Sequence, residues 1–506
     1  MYIWNIDYPK IYIMKYLYAF LFLFLFIPCS LCQDMEDPEI RSAMHSISSH
    51  DLLRYVRILC DDKFEGRLTG TDEYMESAKW LASFFEESGL EPAGDNNTWY
   101  QYFKIPYTVI HPECGLSIEL PAGKKGMIQK QYEYITEYMP GSTSGSGTVK
   151  AEVIYAGYGV TAPELDYDDY EGIDVEGKII LIEREAPVSP SAGPDKFNPW
   201  REYSFHQYKL NNAVQHGAIG MIYNYGPIGN PNNAYNENFI YVHVGDSVVR
   251  DIFAGTGRSH AETVKEISKK LKPRSFNTGK TVSIKMSTTH YPDGIGANVI
   301  GIKKGNDPDL KDQAIIIGAH LDHLGKCYEI IPGANDNASA VAVMMSVARA
   351  LGDYDIGLKR TVIFIGFGAE EQALVGSRKY IESPVMPVQN SVLLNMDGVG
   401  VGNMINITAG KDFPLLFQAF KEVNDKYIHR VLRANSFPNL GRPRLDAAIF
   451  LDAGVPSISF STYGSRSYYH IPWDNIDIIT PEIMEDMARL MLLSVIRLAN
   501  SEADIM

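Results

Sequence analysis

Three stretches in the C-terminal half of the chain, "AIIIGAH" (314–320), "TVIFIGFGAE" (361–370) and "SVLLNMD" (391–397), are apolar at almost every residue and end abruptly on histidine or carboxylate side chains. A strand with one face in water alternates apolar and polar residues, whereas a strand without alternation is buried on both faces. With "ANVIGIKK" and "VPSISFS", these runs alternate with segments of helical period: "NASAVAVMMSVARAL", "LVGSRKYIES", "FPLLFQAFKEVNDKYI" and "PEIMEDMARLMLLSVIRLANS". The pattern predicts an α/β fold, a mixed and mostly parallel sheet sandwiched by helices. Open sheets of this kind place their sites at strand ends, where the polar residues of this block lie.

The rest of the chain has a different texture. From Asp34 to about Tyr107 the spacing is helical, in "SHDLLRYVRILCDD" and "DEYMESAKWLASFFEESGL". Asp72 is expected to cap the second helix and Gly89 to stop it, with "FEGRLTGT" as a glycine-containing turn between the two. From roughly 115 to 285 short β-type runs prevail: "GTVKAEVIYAGYGV", "VEGKIILIER" and "GAIGMIYNYG", with a helix expected in "SFHQYKLNNAVQHG". His206, His216, His243 and His260 are isolated there and read as ordinary surface or core residues. A chain of 506 residues exceeds one ordinary core. The formal net charge of −16 argues against nucleic acid as a partner, since phosphate binding needs clustered Lys and Arg.

The apolar run in "LYAFLFLFLFIPCSLCQD" is shorter than the ~20 residues of a membrane span and fits a secretory signal peptide, with Ser30 and Cys32 before a cut at Gln33. The expectation is therefore export, periplasmic or secreted, with no stable membrane span after signal removal. Lipoprotein anchoring through Cys29 or Cys32 is the alternative, disfavoured by Pro28 and Leu31, and an uncleaved anchor is another. Beyond the cut only Cys60, Cys114 and Cys327 are left, which allows at most one bridge. Free thiols are the preferred reading; if a bridge forms, Cys60–Cys114 is the expected pair.

Chemistry concentrates at the strand ends. His320 and Asp322, two residues apart in extended chain, point to the same side, so Asp322 is placed to hold the His320 ring in one tautomer. Asp336 precedes Asn337, a good N-cap for the next helix. Glu370 and Glu371 close one apolar run, Asp397 closes another, and His470 lies in "SYYHIPWDNID". Taken singly, such carboxylates often cap helices, and His320 could be a core histidine. Adjacent Glu370 and Glu371 resist that explanation, because burying two like charges is costly without a cation. Together the groups suit Zn²⁺ or a similar divalent ion, singly or as a pair.

The segments "GAHLDHLG", "GANDNASAVAVM", "FGAEEQALVGSRKY", "LNMDGVG" and "YYHIPWDNID" resemble, in order and spacing, the motifs of the M28 family of zinc peptidases. The middle block, at "AGYGVTAPELDYDDYEGIDVEGKIILIER" and "AVQHGAIGMIYNY", resembles a protease-associated (PA) domain inserted into the peptidase domain. The resemblance implies a zinc-exopeptidase fold, phosphorylase/hydrolase-like, with an inserted β-rich PA domain. It divides the chain into a signal peptide (1–32), an N-terminal part of the peptidase domain (33–114), the PA-like insert (115–285) and the catalytic domain (286–506). It further implies two zinc ions per chain bridged by Asp336, with Glu371 and His470 completing one and His320 and Asp397 the other. Asp322 would orient His320, and Glu370 would be the general base. His323 and Cys327 receive no role and are expected to be bystanders. Tyr463 and Tyr469 are candidates for an oxyanion hydrogen bond, with aromatic packing as the equal alternative. Where many members read Ser-Asp-His, this chain has "RLDAAIF", which keeps Asp446 but alters the specificity wall. Asn335 stands where an acidic residue is frequent.

The activity implied is that of an exported metallo-aminopeptidase acting on peptides or small proteins, with Asp397 or Glu370 meeting the substrate's free amine. A carboxypeptidase or dipeptidase is the nearest rival; it would need a cation for the substrate carboxylate, for which Arg442, Arg444 and Arg466 are available. A glutaminyl-cyclase-like enzyme would use a single zinc. A non-catalytic peptide-binding protein would lack some ligands, and none of the expected positions is missing. The insert is expected either to shade the site entrance or to act as a spacer.

Overall fold

The unbroken apolar runs become the middle of a nine-stranded sheet. This computed structural model describes residues 37–121, 123, 126–232, 234–438 and 444–506; the signal segment expected over 1–32 and Arg442 lie outside the described residues. Along the sheet the order is Glu91–Pro92, Ile295–Lys303, Thr361–Phe367, Ala314–His320, Ser391–Met396, Ser457–Tyr463, Met404–Thr408 and Val431–Asn435, with Tyr100–Lys104 also pairing with Ile295–Lys303. The four strands from Thr361–Phe367 to Ser457–Tyr463 are parallel, so their C-terminal ends share one edge. Ile295–Lys303 and Met404–Thr408 flank them antiparallel.

Why these strands carry no polar alternation is visible in the packing. Ile315, Ile317 and Ala319 join one core with the helices Ser49–Leu59, Asp72–Glu87, Ser339–Asp353 and Pro481–Asn500. The intervening Ala314 and Ile316 join a second core with Tyr380 of Val375–Glu382 and Phe450 of Asp446–Asp452. Each face of the pleat thus meets its own helical layer.

A second sheet is built from the middle of the chain, in the order Met127–Gln131, Gly115–Pro121, Phe276–Met286, Gly147–Tyr155, Ile179–Glu183, Gly220–Asn224, Ile240–Val244 and Tyr138–Pro140. Apolar clusters cover both of its faces. The chain passes to this sheet along Tyr107–Ile110 and returns along Thr288–Tyr291, and these strands pair antiparallel as a neck. Cys327, in the loop that follows the first histidine motif, pairs with Ile110 of that neck. No described helix is long and apolar enough to cross a membrane.

Local expectations fail in two places. Thr71, not Asp72, caps the helix Asp72–Glu87, its Oγ1 accepting from the Tyr74 N–H. Asn337 does not cap Ser339–Asp353: its side chain donates to Met396 O at 3.0 Å and accepts from Gly398 N at 3.1 Å. In the second case a partner distant in sequence takes the polar group a local cap would use. All three described cysteines are free; Cys60 Sγ faces Pro332 O while Cys114 Sγ faces His111 O, so the Cys60–Cys114 pair does not form.

Candidate metal and active site

The loops leaving the shared edge bring His320, Asp336, Glu371, Asp397 and His470 together. His320 ends its strand, Asp397 follows Met396, and Glu370–Glu371 follow the strand ending at Phe367. Asp336 occupies the tight segment before the Ser339–Asp353 helix, and His470 comes from the loop after Tyr463. The two oxygens of Asp336 face different imidazoles: Oδ1 lies 3.2 Å from His320 Nε2 and Oδ2 lies 3.4 Å from His470 Nε2. His320 Nε2 is also 3.9 Å from Asp397 Oδ1, and His470 Nε2 is 3.1 Å from Glu371 Oε1. His320, His470, Asp336 and Glu371 are buried, whereas Asp397 is partly exposed.

Burial opposes ionisation of Asp336, yet the two imidazoles hold its carboxyl well below the usual range. Glu371 is likewise pulled down to about 2 against its burial, chiefly by His470. Burial depresses both histidines, but the carboxylates overcome it: His470 rises to about 10, Glu371 foremost, and His320 rises well above its ordinary value through Asp336 and Asp397. Glu370 goes the other way. It opens toward a cleft, and desolvation together with the charges of Glu371, Asp446 and Asp397 pushes it well above the carboxylate range.

These residues fit a bound cation. Several carboxylates concentrated out of water repel one another unless a positive ion lies among them. Imidazole nitrogen with carboxylate oxygen is a zinc-type donor set, and a carboxylate aimed both ways is suited to bridging two ions. His320, Asp336 and Asp397 form one group with potential ligand atoms in mutual reach, and Asp336 and Glu371 belong to a second.

Several supports depart from expectation. Asp322 does not orient His320 through its carboxylate: His320 Nδ1 donates to the Asp322 backbone O at 3.1 Å, while the nearest carboxylate oxygen is 3.7 Å away. The Asp322 carboxylate, buried and raised to about 7 by that burial, instead accepts the N–H groups of Glu370 (3.1 Å) and Glu371 (3.3 Å). It therefore fixes the turn that presents the two glutamates. His323 is no bystander, since its Nδ1 lies 2.9 Å from Glu371 Oε1, it is fully buried, and it belongs to the second ligand group. The left-handed Gly333 (φ 59°) lies directly against it: a Cβ there would come within 2.5 Å of the His323 ring.

Two supports were not foreseen. Asp474, within the quoted "YYHIPWDNID", accepts the backbone N–H groups of Asn335 (2.8 Å) and Asp336 (3.0 Å). Arg67, from the glycine-containing turn segment "FEGRLTGT", is buried and donates to the carbonyls of Leu59, Leu321, Pro332 and Gly333 at 2.6–3.1 Å. It thereby ties the His320–His323 loop to the Asp336 segment. The "WDNID" stretch carries a visible signal for the first. No local pattern carries one for the second.

A cleft of about 240 Å³ beside Glu370 is lined by Arg184, Tyr225, Asn232, Leu374, Arg444 and Tyr469 among others. Tyr469 is half-exposed there and stacks on His470, with ring centroids 3.6 Å apart. Tyr463 is placed otherwise: Arg433 covers its ring, and its buried hydroxyl has no hydrogen-bond partner among the described residues. Asp446 begins the Asp446–Asp452 helix, buried and raised to about 7 by burial; the cleft wall near it is Arg444. Arg444 pairs with Glu185 of the second sheet's segment at 2.8 Å, and Arg466 lies over the Tyr468 ring.

Residues 298–495 match Peptidase family M28. Aminopeptidase YwaD of Bacillus subtilis is 27% identical over 251 residues, 46% of this chain and 51% of that protein, so the match spans about half of that relative. A glutamate carboxypeptidase 2 homolog of Caenorhabditis elegans is 24% identical over 541 residues, 86% of this chain and 66% of the relative. Among solved structures, the aminopeptidase from Aneurinibacillus sp. strain AM-1 superposes with a TM-score of 0.63 at 21% identity, covering 92% of this chain and 96% of that one. BSAP, a zinc aminopeptidase from Bacillus subtilis, gives 0.58 at 20% identity, covering 91% and 97%.

Proposed function

We propose that this chain, whose residues 298–495 match peptidase family M28, is a metallopeptidase and in particular a two-zinc aminopeptidase removing N-terminal residues from peptides. The observation that carries the reading is Asp336, whose two oxygens face the Nε2 atoms of two different histidines. His320 and Asp397 would hold one ion, Glu371 and His470 the other, and Asp336 both. When bound, such a pair polarises the scissile carbonyl and makes water acidic enough to attack at neutral pH.

The chain's own groups handle proton and substrate. Glu370, free of the ligand set and open to the cleft, takes a proton from the attacking water and returns it to the leaving amine. Asp322 keeps Glu370 and Glu371 in their separate roles by gripping both backbone N–H groups. Tyr469, on the cleft wall, is the available donor for a developing oxyanion. Asp397, partly exposed, is suited to meet the free amine. The block 115–285 would be a PA-like insert roofing the cleft, and the segment 1–32 would direct export.

One observation favours a second reading. Arg184 and Arg444 line the cleft with Glu370, which suits a substrate carboxylate and hence a carboxypeptidase or dipeptidase. A single peptide offered free, N-acetylated and C-amidated separates the two. An aminopeptidase cleaves the free and amidated forms and spares the acetylated one, whereas loss of the amidated form would support the second reading and overturn the first.

A further inference from the structure

On the side of the second sheet, residues 225–232 leave the strand Gly220–Asn224 and cross to the ligand cluster as a strap. Its central residue makes a reciprocal pair of hydrogen bonds with His470. The Gly229 N–H donates to His470 O at 3.0 Å, and His470 Nδ1 donates to Gly229 O at 2.8 Å. A carbonyl can only accept, so Nδ1 carries the hydrogen, and in the neutral ring Nε2 is left with the lone pair facing Asp336 and Glu371. His470 also holds a left-handed backbone, φ 60°, which a residue with a Cβ keeps only when its surroundings impose it. The hydrogen bond to its own carbonyl is one such constraint.

The strap is in turn fastened to the body of the middle segment. His243, fully buried in the strand Ile240–Val244, donates from Nδ1 to Ile228 O at 2.8 Å, one peptide away from Gly229. Gly226 N donates to Val244 O at 3.1 Å, Asn230 N donates to Ser142 Oγ at 3.0 Å, and Asn230 Nδ2 meets His206 Nε2 at 3.1 Å. His206 and His243, which look like isolated histidines in the sequence, are therefore the posts of the strap. Close approach explains the glycine at its centre: a Cβ on Gly229 would stand 2.9 Å from Leu324 Cδ1, in the loop just after His323.

We propose that the middle segment is a working part of the metal site: the Gly229 peptide fixes the tautomer and orientation of His470, so that affinity for one of the two ions depends on the strap. This rests on the reading of His470 as a ligand, and makes Gly229 a positioning residue whose backbone acts through His470. Loss of such outer partners costs about 10- to 100-fold in metal affinity.

The test is zinc affinity of the full chain, measured by competition with a chromophoric chelator, alongside the thermal midpoint of the zinc-free protein. Gly229→Val should weaken one zinc about 10- to 100-fold and leave the other unchanged, and adding Leu324→Ala, which makes room for the new side chain, should restore most of the loss. The zinc-free midpoints of Gly229→Val and the double variant should agree, which sets positioning apart from general damage. If Gly229→Val does not fold, His243→Leu reads the same effect from the far post, with a several-fold loss at the same ion. Wild-type affinity for both ions in Gly229→Val, or in His243→Leu, would overturn the proposal. His470→Ala separates the two levels: if it still binds both ions at wild-type affinity, the ligand assignment falls as well; if it loses one while Gly229→Val loses none, only the strap's role falls.

Discussion

His323 Nδ1 lies 2.9 Å from Glu371 Oε1, with both side chains buried. The contact gives a polar neighbour of the first motif a task, which is to hold a carboxylate that His470 also approaches. His323→Phe keeps the volume and removes the donor. It should lower activity about 10- to 100-fold and weaken zinc retention on dialysis, while His323→Gln recovers part of both. Unchanged zinc retention in His323→Phe would show that the contact is mere packing.

Glu370 should separate chemistry from metal binding. It opens to the cleft and makes none of the close histidine contacts that Glu371 makes. Glu370→Gln is expected to cut kcat by about 10²- to 10⁴-fold with zinc content intact. Steady-state kinetics beside metal analysis on the same preparation checks this, and a parallel fall in zinc would move Glu370 into the ligand set.

Arg67 is a purely structural prediction with a large expected size. Its buried guanidinium serves four carbonyls, on the loops that carry His320 and Asp336. Arg67→Ala leaves those acceptors unsatisfied and should destabilise by about 4 kcal/mol or more in chemical denaturation. Lys cannot reproduce the planar fork, so Arg67→Lys should recover little.

His243 carries a pH signature. Burial brings its pKa down to about 4, with the Ile228 hydrogen bond opposing that shift. The unfolded chain, near the ordinary value of about 6.5, therefore binds a proton first as pH falls. The sign follows from linkage: the contribution is complete above about pH 6.5 and is lost progressively toward pH 4, amounting to about 3 kcal/mol. Urea midpoints across that window should fall less steeply in His243→Leu than in the wild type. Equal slopes would contradict the burial argument.

Much of this architecture can be read from local pattern. "AIIIGAH" and "TVIFIGF" have no polar alternation because each pleat face meets its own helical layer, and that requirement is written into every residue of the run. The same edge logic brings His320, Asp336, Glu371, Asp397 and His470 together. What local pattern does not carry is the support. Arg67 reaches Pro332 across 265 positions, and Gly229 reaches His470 across 241. Spacing aims the Asp322 carboxylate at His320, but the Asp322 backbone carbonyl takes that hydrogen bond and leaves the carboxylate to Glu370 and Glu371. Spacing in the sequence says nothing of the contact between His323 and a glutamate 48 positions away.

If Asp336 joins two ions, the zinc content of the chain must show it. Protein purified without chelator, supplied with zinc and dialysed, should hold close to two zinc ions per chain by atomic absorption, and Asp336→Ala should lose both together. A wild-type chain that retains none, or an Asp336→Ala chain that still holds two, would contradict it.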